Sequence, residues 1–245
     1  MITTGNTVLI TGGSSGIGLA LAKRYLSLKN KVIITGRDIS KLEQIKNDFP
    51  EVVIFAGDLT DKNSLDELVL LIEQQYGDLN ILINNAAVQY NYYFRDEPNL
   101  TYKIDYEISA NLSVPIKLTG LLLPLLLKNK NSAVVNVSSG LFIAPKKSAS
   151  VYCATKSALH SFTKTLRYQL EDSVIKVFEI IPALVETPMT EGRGKSKITA
   201  EQLTDEFICS FKTDKFEIYI GKTKLLKLIN RISPKLADKI IKNGL

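Results

Sequence analysis

Cysteine occurs only twice in this 245-residue sequence, at Cys153 and Cys209. Two residues so far apart show no metal-ligand spacing and are too few for a disulfide framework. A reducing cytosol is the simplest setting for such a chain, so a cytoplasmic location is expected. The first six residues carry no basic segment and run straight into an apolar, strand-like stretch, so no signal peptide is expected. No apolar run reaches bilayer length. The strongest, 118–127, contains Pro124 and reads as the end of a buried helix. The main body also lacks net charge. Nine Lys/Arg and three Asp/Glu lie between Lys212 and Leu245, a net of +6 that equals the charge of the whole chain. The basic character therefore belongs to the tail, and no nucleic-acid partner is expected.

The composition, 45% hydrophobic and 23% charged, is that of a globular domain with a sizeable core. One domain is expected over 1–222, followed by a C-terminal extension over 223–245. Short apolar runs at 7–11, 31–35, 51–56, 80–83, 133–137 and 174–181 read as strands, with helical periodicity between them. Strands alternating with helices at this pace predict an α/β fold, a doubly wound parallel sheet of about seven strands with helices on both faces. A helix is expected over 62–76, and a longer one over 103–128 with a kink near Pro115.

The first strand runs into Gly12, Gly13, Ser14, Ser15, Gly16, Ile17 and Gly18, and a helix follows at once. Glycines there let the backbone turn tightly and approach a pyrophosphate, and the helix N-terminus offers free N–H groups. The alternative is a tight turn with no ligand. Past the second strand, an acid would favour NAD(H) by binding the ribose diol. This chain has Gly36 and Arg37 instead, and an arginine can pair with a 2′-phosphate. NADP(H) is therefore favoured over NAD(H), with Asp38 read as a helix cap. Asp58, after the third strand, can accept from an adenine amino group or serve as a loop carboxylate. The strand ends carry Gly12, Arg37, Asp58, Asn84, Ser139 and Thr187, all on the side where such sheets bind ligands.

Tyr152 and Lys156 are four residues apart in a helical stretch and should share one face. Together with the 11–18 glycine loop, Asp58-Leu59, the 84–87 Asn-Asn-Ala-Ala run, Asn111, Ser139 and the 182–187 segment, they resemble the motif set of the short-chain dehydrogenase/reductase family. The resemblance covers about 5–190. Ala87 and Ala183 depart from it, each adding a methyl where the family generally has glycine. The C-terminal part, with Ser-Pro-Lys-Leu-Ala at 233–237, resembles bacterial reductases associated with D-alanylation of teichoic acids.

The family resemblance implies an NADP(H)-dependent oxidoreductase that moves a hydride between nicotinamide and a carbonyl or secondary alcohol, with no metal. It implies Tyr152 as acid/base, its phenol pKa lowered by Lys156 and the nicotinamide. Ser139 would hold the substrate oxygen, and Asn111 would position a water beside Lys156. Cofactor contacts are expected from Gly12, Ser14, Ser15, Gly16, Ile17, Gly18, Arg37, Asp58, Leu59, Asn84, Ala86, Tyr152, Lys156, Pro182, Val185 and Thr187. Substrate contacts are expected from Gln89, Leu141, Phe142 and Leu184, with Tyr90 and Glu186 as further candidates. Residues 189–213 are expected to form a cover. His160 lies eight residues beyond Tyr152, about 12 Å along the helix, too far for direct proton transfer.

The partners expected are a small carbonyl or alcohol substrate and a second copy of the chain, giving a dimer. The tail repeats apolar residues at helical spacing among lysines, a pattern that suits either packing on the body or an anionic membrane surface. A non-catalytic NADP(H) sensor or scaffold of the same fold is the alternative, although a sensor has no need of Ser139, Tyr152 and Lys156 together. A sugar-nucleotide epimerase is disfavoured by the short chain and the glycine spacing.

Overall fold

The computed structural model describes residues 1–194 and 196–244. Lys195, inside the expected cover, and Leu245, at the end of the expected tail, lie outside the described residues. The apolar runs form seven parallel strands: β1 Thr7–Ile10, β2 Lys31–Gly36, β3 Val53–Ala56, β4 Leu79–Asn84, β5 Ser132–Val137, β6 Ile175–Pro182 and β7 Glu217–Ile220. Their order across the sheet is β3-β2-β1-β4-β5-β6-β7. The chain reverses its direction of travel between β1 and β4, which opens a crevice at the carboxyl ends of those strands.

Both faces are covered, so the strands read as continuous apolar runs rather than as an alternation. Successive side chains still point to opposite faces. Val8 and Ile10 pack with Leu21 and Tyr25 of α1 (Gly16–Ser27) and Leu42 of α2 (Ile39–Asp48). Leu9 and Leu82 pack with Leu68 of α3 (Lys62–Gln75) and with Leu118 and Leu122 further along the chain.

The structure differs from the expected layout in two places. The helix expected over 103–128 is two helices, α4 Leu100–Ile108 and α5 Val114–Leu127, joined by a π turn over Ser109–Ser113. Pro115 stands in the first turn of α5, where its missing N–H costs little. Secondly, the expected cover is shorter than 189–213. Helix α7, Ala200–Lys212, buries Leu203, Phe207 and Phe211 in the core beside Phe178, so its apolar stripe belongs to the body. The tail takes one of the placements its pattern suited, packing on the body. After α6 (Ser150–Gln169) and β7, α8 (Thr223–Ile232) and α9 (Pro234–Ile241) fold back, and Leu226, Ala237 and Ile241 pack with Ala144.

Candidate active site

The glycine loop has the shape its sequence requires. Gly12 and Gly16 take φ of 66° and 53°, a left-handed conformation that side chains rarely adopt. Asn85 fastens the loop from β4: its side-chain nitrogen donates to the carbonyls of Thr11 at 2.9 Å and Gly12 at 3.1 Å. Thr11 Oγ1 returns the contact, accepting from the backbone N–H groups of Asn85 and Ala86. Ser15 stands at the N-cap of α1 in extended conformation without a side-chain cap. The N–H groups of the first turn are thus left for an anion.

Gly18 lies behind the loop. A Cβ there would fall 2.2 Å from the Gly12 carbonyl oxygen, so its role is close packing of helix on loop, and it does not line the cavity. Asn84, expected at the cofactor, turns inward instead. Its amide donates to Asn136 at 2.8 Å and Thr119 at 3.1 Å, which ties β4 to β5 and α5. Strand alternation gives one of the two adjacent asparagines to the interior and the other to the loop.

At the β2 and β3 ends, Arg37 donates to the Tyr106 hydroxyl at 2.6 Å, and that hydroxyl donates to Asp58 at 2.5 Å. Burial works to raise the Asp58 pKa. The hydrogen bonds from Tyr106 and Thr60 and the Arg37 charge outweigh it and hold the carboxyl below its ordinary value. Asp38 caps α2, accepting from Lys41 N–H, and so is turned toward its own helix.

Ser139, Tyr152 and Lys156 line the same cavity as the glycine loop. Ser139 caps a short turn, its Oγ accepting from Leu141 N–H at 3.2 Å. One face of α6 carries both Tyr152 and Lys156, with the Lys156 nitrogen 5.6 Å from the centre of the phenol ring. That nitrogen donates to the Val137 carbonyl at 2.8 Å. Burial pulls Lys156 down to about 8, against the nearby charge of Glu179. Burial also pushes Tyr152 up to about 12, opposed by the Ser139 hydroxyl. The lowered phenol pKa expected from the sequence is therefore not a property of the protein alone, because desolvation exceeds the help from the Ser139 hydroxyl.

Asn111 sits in the π turn, fully buried and out of the cavity. Its amide accepts from Val88 N–H and donates to the Val88 carbonyl, both at 2.8 Å. Val88 thus meets both ends of the amide, whose nitrogen also reaches Thr155 at 3.4 Å, and the side chain makes no direct contact with Lys156.

Ser14, Ile17, Leu59, Ala86, Pro182, Val185 and Thr187 line the cavity, as do Gln89, Leu141 and Leu184. Phe142 does not. It stacks on His160 at 4.0 Å, and His160 Nδ1 lies 2.8 Å from Glu179. Tyr90 is also outside the lining, with Lys103 over its ring. Glu186 faces a separate shallow hollow beside Leu19 and Lys23. The sequence reading missed Tyr106, Lys146 and Arg193, and also Leu225, Leu226, Ile229 and Ile241 of the folded-back tail, all of which line the cavity. Asn85, which also lines the cavity, was already part of the 84–87 run. The cavity volume, about 820 Å³, suits a dinucleotide with a small molecule beside it.

Residues 6–198 match the family model described as short chain dehydrogenase. The chain belongs to this family. It is 40% identical over 221 residues to the uncharacterized oxidoreductase DltE of Bacillus subtilis, covering 88% of each chain. A short chain dehydrogenase from Burkholderia cenocepacia in complex with NADP superposes with a TM-score of 0.87 at 21% identity, over 99% of this chain and 100% of the other. A family member from Burkholderia phymatum in complex with NAD gives 0.84 at 20% identity, over 100% and 98%. The short-chain dehydrogenase described here is accordingly an oxidoreductase, and each of the two neighbouring structures holds a nicotinamide dinucleotide. The left-handed glycines, the uncapped start of α1 and the cavity reaching from Arg37 to Tyr152 fit that group.

Proposed function

We propose that the chain is an NADP(H)-dependent reductase of ketones or aldehydes, run in reverse as an alcohol dehydrogenase, with Tyr152 as acid/base. The observation that carries the reading is the placing of Ser139, Tyr152 and Lys156 in one cavity with the glycine loop. The bound nicotinamide supplies or accepts the hydride. Tyr152 holds its proton at neutral pH, which suits a donor to a developing alkoxide. Ser139 offers a second hydroxyl for the same oxygen. Lys156 places a buried cation behind the phenol and stabilises its anion once the proton has left.

Arg37 supports NADP(H). It stands at the end of β2 with Ser14 beside Gly36, and the only nearby carboxylate on its own loop, Asp38, is engaged as a helix cap. Spectrophotometric NADPH oxidation against a ketone panel tests the reading. The Tyr152→Phe variant should lose roughly 10²- to 10⁴-fold in turnover while still binding NADPH. Full activity in that variant would overturn the mechanism, and tight NADPH binding with no turnover in the wild type would favour a sensor.

The tail supports contact with an anionic membrane surface. Its apolar residues divide into an inward row, with Leu226 and Ile241 buried, and an outward row in which Leu225, Leu228, Ile232 and Leu236 are exposed. Lysines flank the outward row, so two copies facing each other there would repel. Dimerisation is better served by α5, where Ile116, Leu121 and Leu127 are exposed. Two free thiols are compatible with the cytoplasm.

A further inference from the structure

We infer that the substrate carries an anionic group, a carboxylate or a phosphate, held between Lys146 and Arg193 on the substrate side of Tyr152. The inference rests on the reading of Tyr152 as the proton donor and adds the chemical class of what it reduces. Lys146 lies between the Ser139 turn and α6, while Arg193 lies on the loop after β6, so the two enter the cavity from different walls.

Asn91 stands between them. One end of its amide is 3.5 Å from Lys146 Nζ. The other end, with its oxygen turned to suit its neighbours, accepts from the Arg193 guanidinium at 2.9 Å. Arg193 also donates to Gln89 at 3.1 Å. Among the described residues, neither cation lies within ion-pair distance of a carboxylate, whereas Lys41, Lys103 and Lys224 each have one. The two half-buried cations thus compete for one neutral amide, whose oxygen in that orientation serves Arg193 while its nitrogen, a donor, faces Lys146. Their mutual repulsion is visible at Lys146, whose pKa is lowered first by burial and then by the Arg193 charge. An anion in this place would relieve both effects.

The cofactor's own phosphates are a poor explanation for the pair. The anion-binding start of α1 and Arg37 lie at the other end of the cavity, whereas the Arg193 charge acts on the Tyr152 phenol. The apolar neighbours on the tail, Leu226 and Ile229, leave room for an aliphatic portion as well.

The test measures binding to the NADPH-loaded Tyr152→Phe protein, in which turnover does not consume the cofactor, through cofactor fluorescence and using matched probes. Levulinate is compared with methyl levulinate, and dihydroxyacetone phosphate with dihydroxyacetone. One charged probe should bind roughly tenfold or more tightly than its neutral partner, and which one does so separates carboxylate from phosphate. In the protein carrying Lys146→Met and Arg193→Met, that ratio should fall to near one. Equal binding of charged and neutral probes, no binding of either anion, or a ratio that survives both substitutions would overturn the inference. Turnover of the neutral ketones and its dependence on Tyr152 are measured separately. A preference for the anion without Tyr152-dependent turnover would remove the proposed reaction and leave the binding site standing.

Discussion

Lys156 is charged in a place that disfavours charge, and this has two measurable effects. Its pKa of about 8 lies below the ordinary 10.5, so the cation costs stability below pH 8. As pH rises from 8 toward 10.5, the unfolded chain keeps the proton that the folded one has lost, and the cost is relieved. Lys156→Met should therefore stabilise the protein at neutral pH by roughly 2 kcal/mol after the lost bond to Val137 is set against it. The advantage should shrink near pH 10 in urea unfolding; an advantage that grows with pH would contradict the argument. The same variant should lose turnover, a trade familiar at active sites. In the wild type, kcat/KM for reduction should fall above about pH 8, where the cation behind Tyr152 is lost. A profile flat to pH 10 would show that the charge is not needed.

Residues of this kind were legible in the sequence because backbone geometry dictates them. Gly12 and Gly16 need left-handed φ, and a helix places positions four apart on one face. Asn84, Asn85, Leu141 and Phe142 were not separable in that way. Adjacent residues at the end of an element diverge according to which one the sheet or turn takes inward, and no local pattern encodes that choice.

At the scale of elements, the π turn shows how a buried amide replaces regular backbone pairing. Asn111 satisfies both polar groups of Val88 and reaches Thr155, so it fixes the loop after β4 against α6. Asn111→Ala would strand those groups and should cost roughly 1 to 3 kcal/mol. Thermal unfolding checks this, and an unchanged midpoint would mean that water replaces the amide without loss. The sequence announced a break near Pro115 but not its form, because a π turn is set by what the freed groups can bond to.

The tail shows the converse. Its helical periodicity was plain, yet the split into inward and outward rows depends on Ala144 and the cavity mouth, which lie far away in sequence. If the outward row meets an anionic surface, the protein should float with phosphatidylglycerol vesicles at low salt and be released by high salt. Ile232→Ser with Lys235→Glu and Lys239→Glu should abolish flotation. Ile232, Lys235 and Lys239 are exposed, so the variant should unfold at the wild-type temperature. No binding by the wild type would leave the row to a protein partner.

For the molecule as a whole, the cavity joins the two halves of the sheet. Its lining comes from the loops after β1, β2 and β3 on one side and β4, β5 and β6 on the other, with α8 and α9 across the mouth. The doubly wound parallel sheet was readable from strands alternating with helices, and in such a sheet the cavity lies where the strand order reverses. A cofactor spanning that crevice binds only the folded chain, so its affinity appears as stability. At a hundredfold excess over Kd, NADPH should add about 2.7 kcal/mol, and for a chain of this size the unfolding temperature should rise by roughly 5 to 10 °C. NADH at the same concentration should give a smaller rise if Arg37 receives a 2′-phosphate. Replacing that guanidinium separates the two cofactors cleanly, because Tyr106 still bonds Asp58 without it. Arg37→Ala should bring the NADPH shift down to the NADH level and leave the NADH shift nearly unchanged. Equal shifts in the wild type, or a difference that survives the substitution, would place the cofactor preference elsewhere in the cavity.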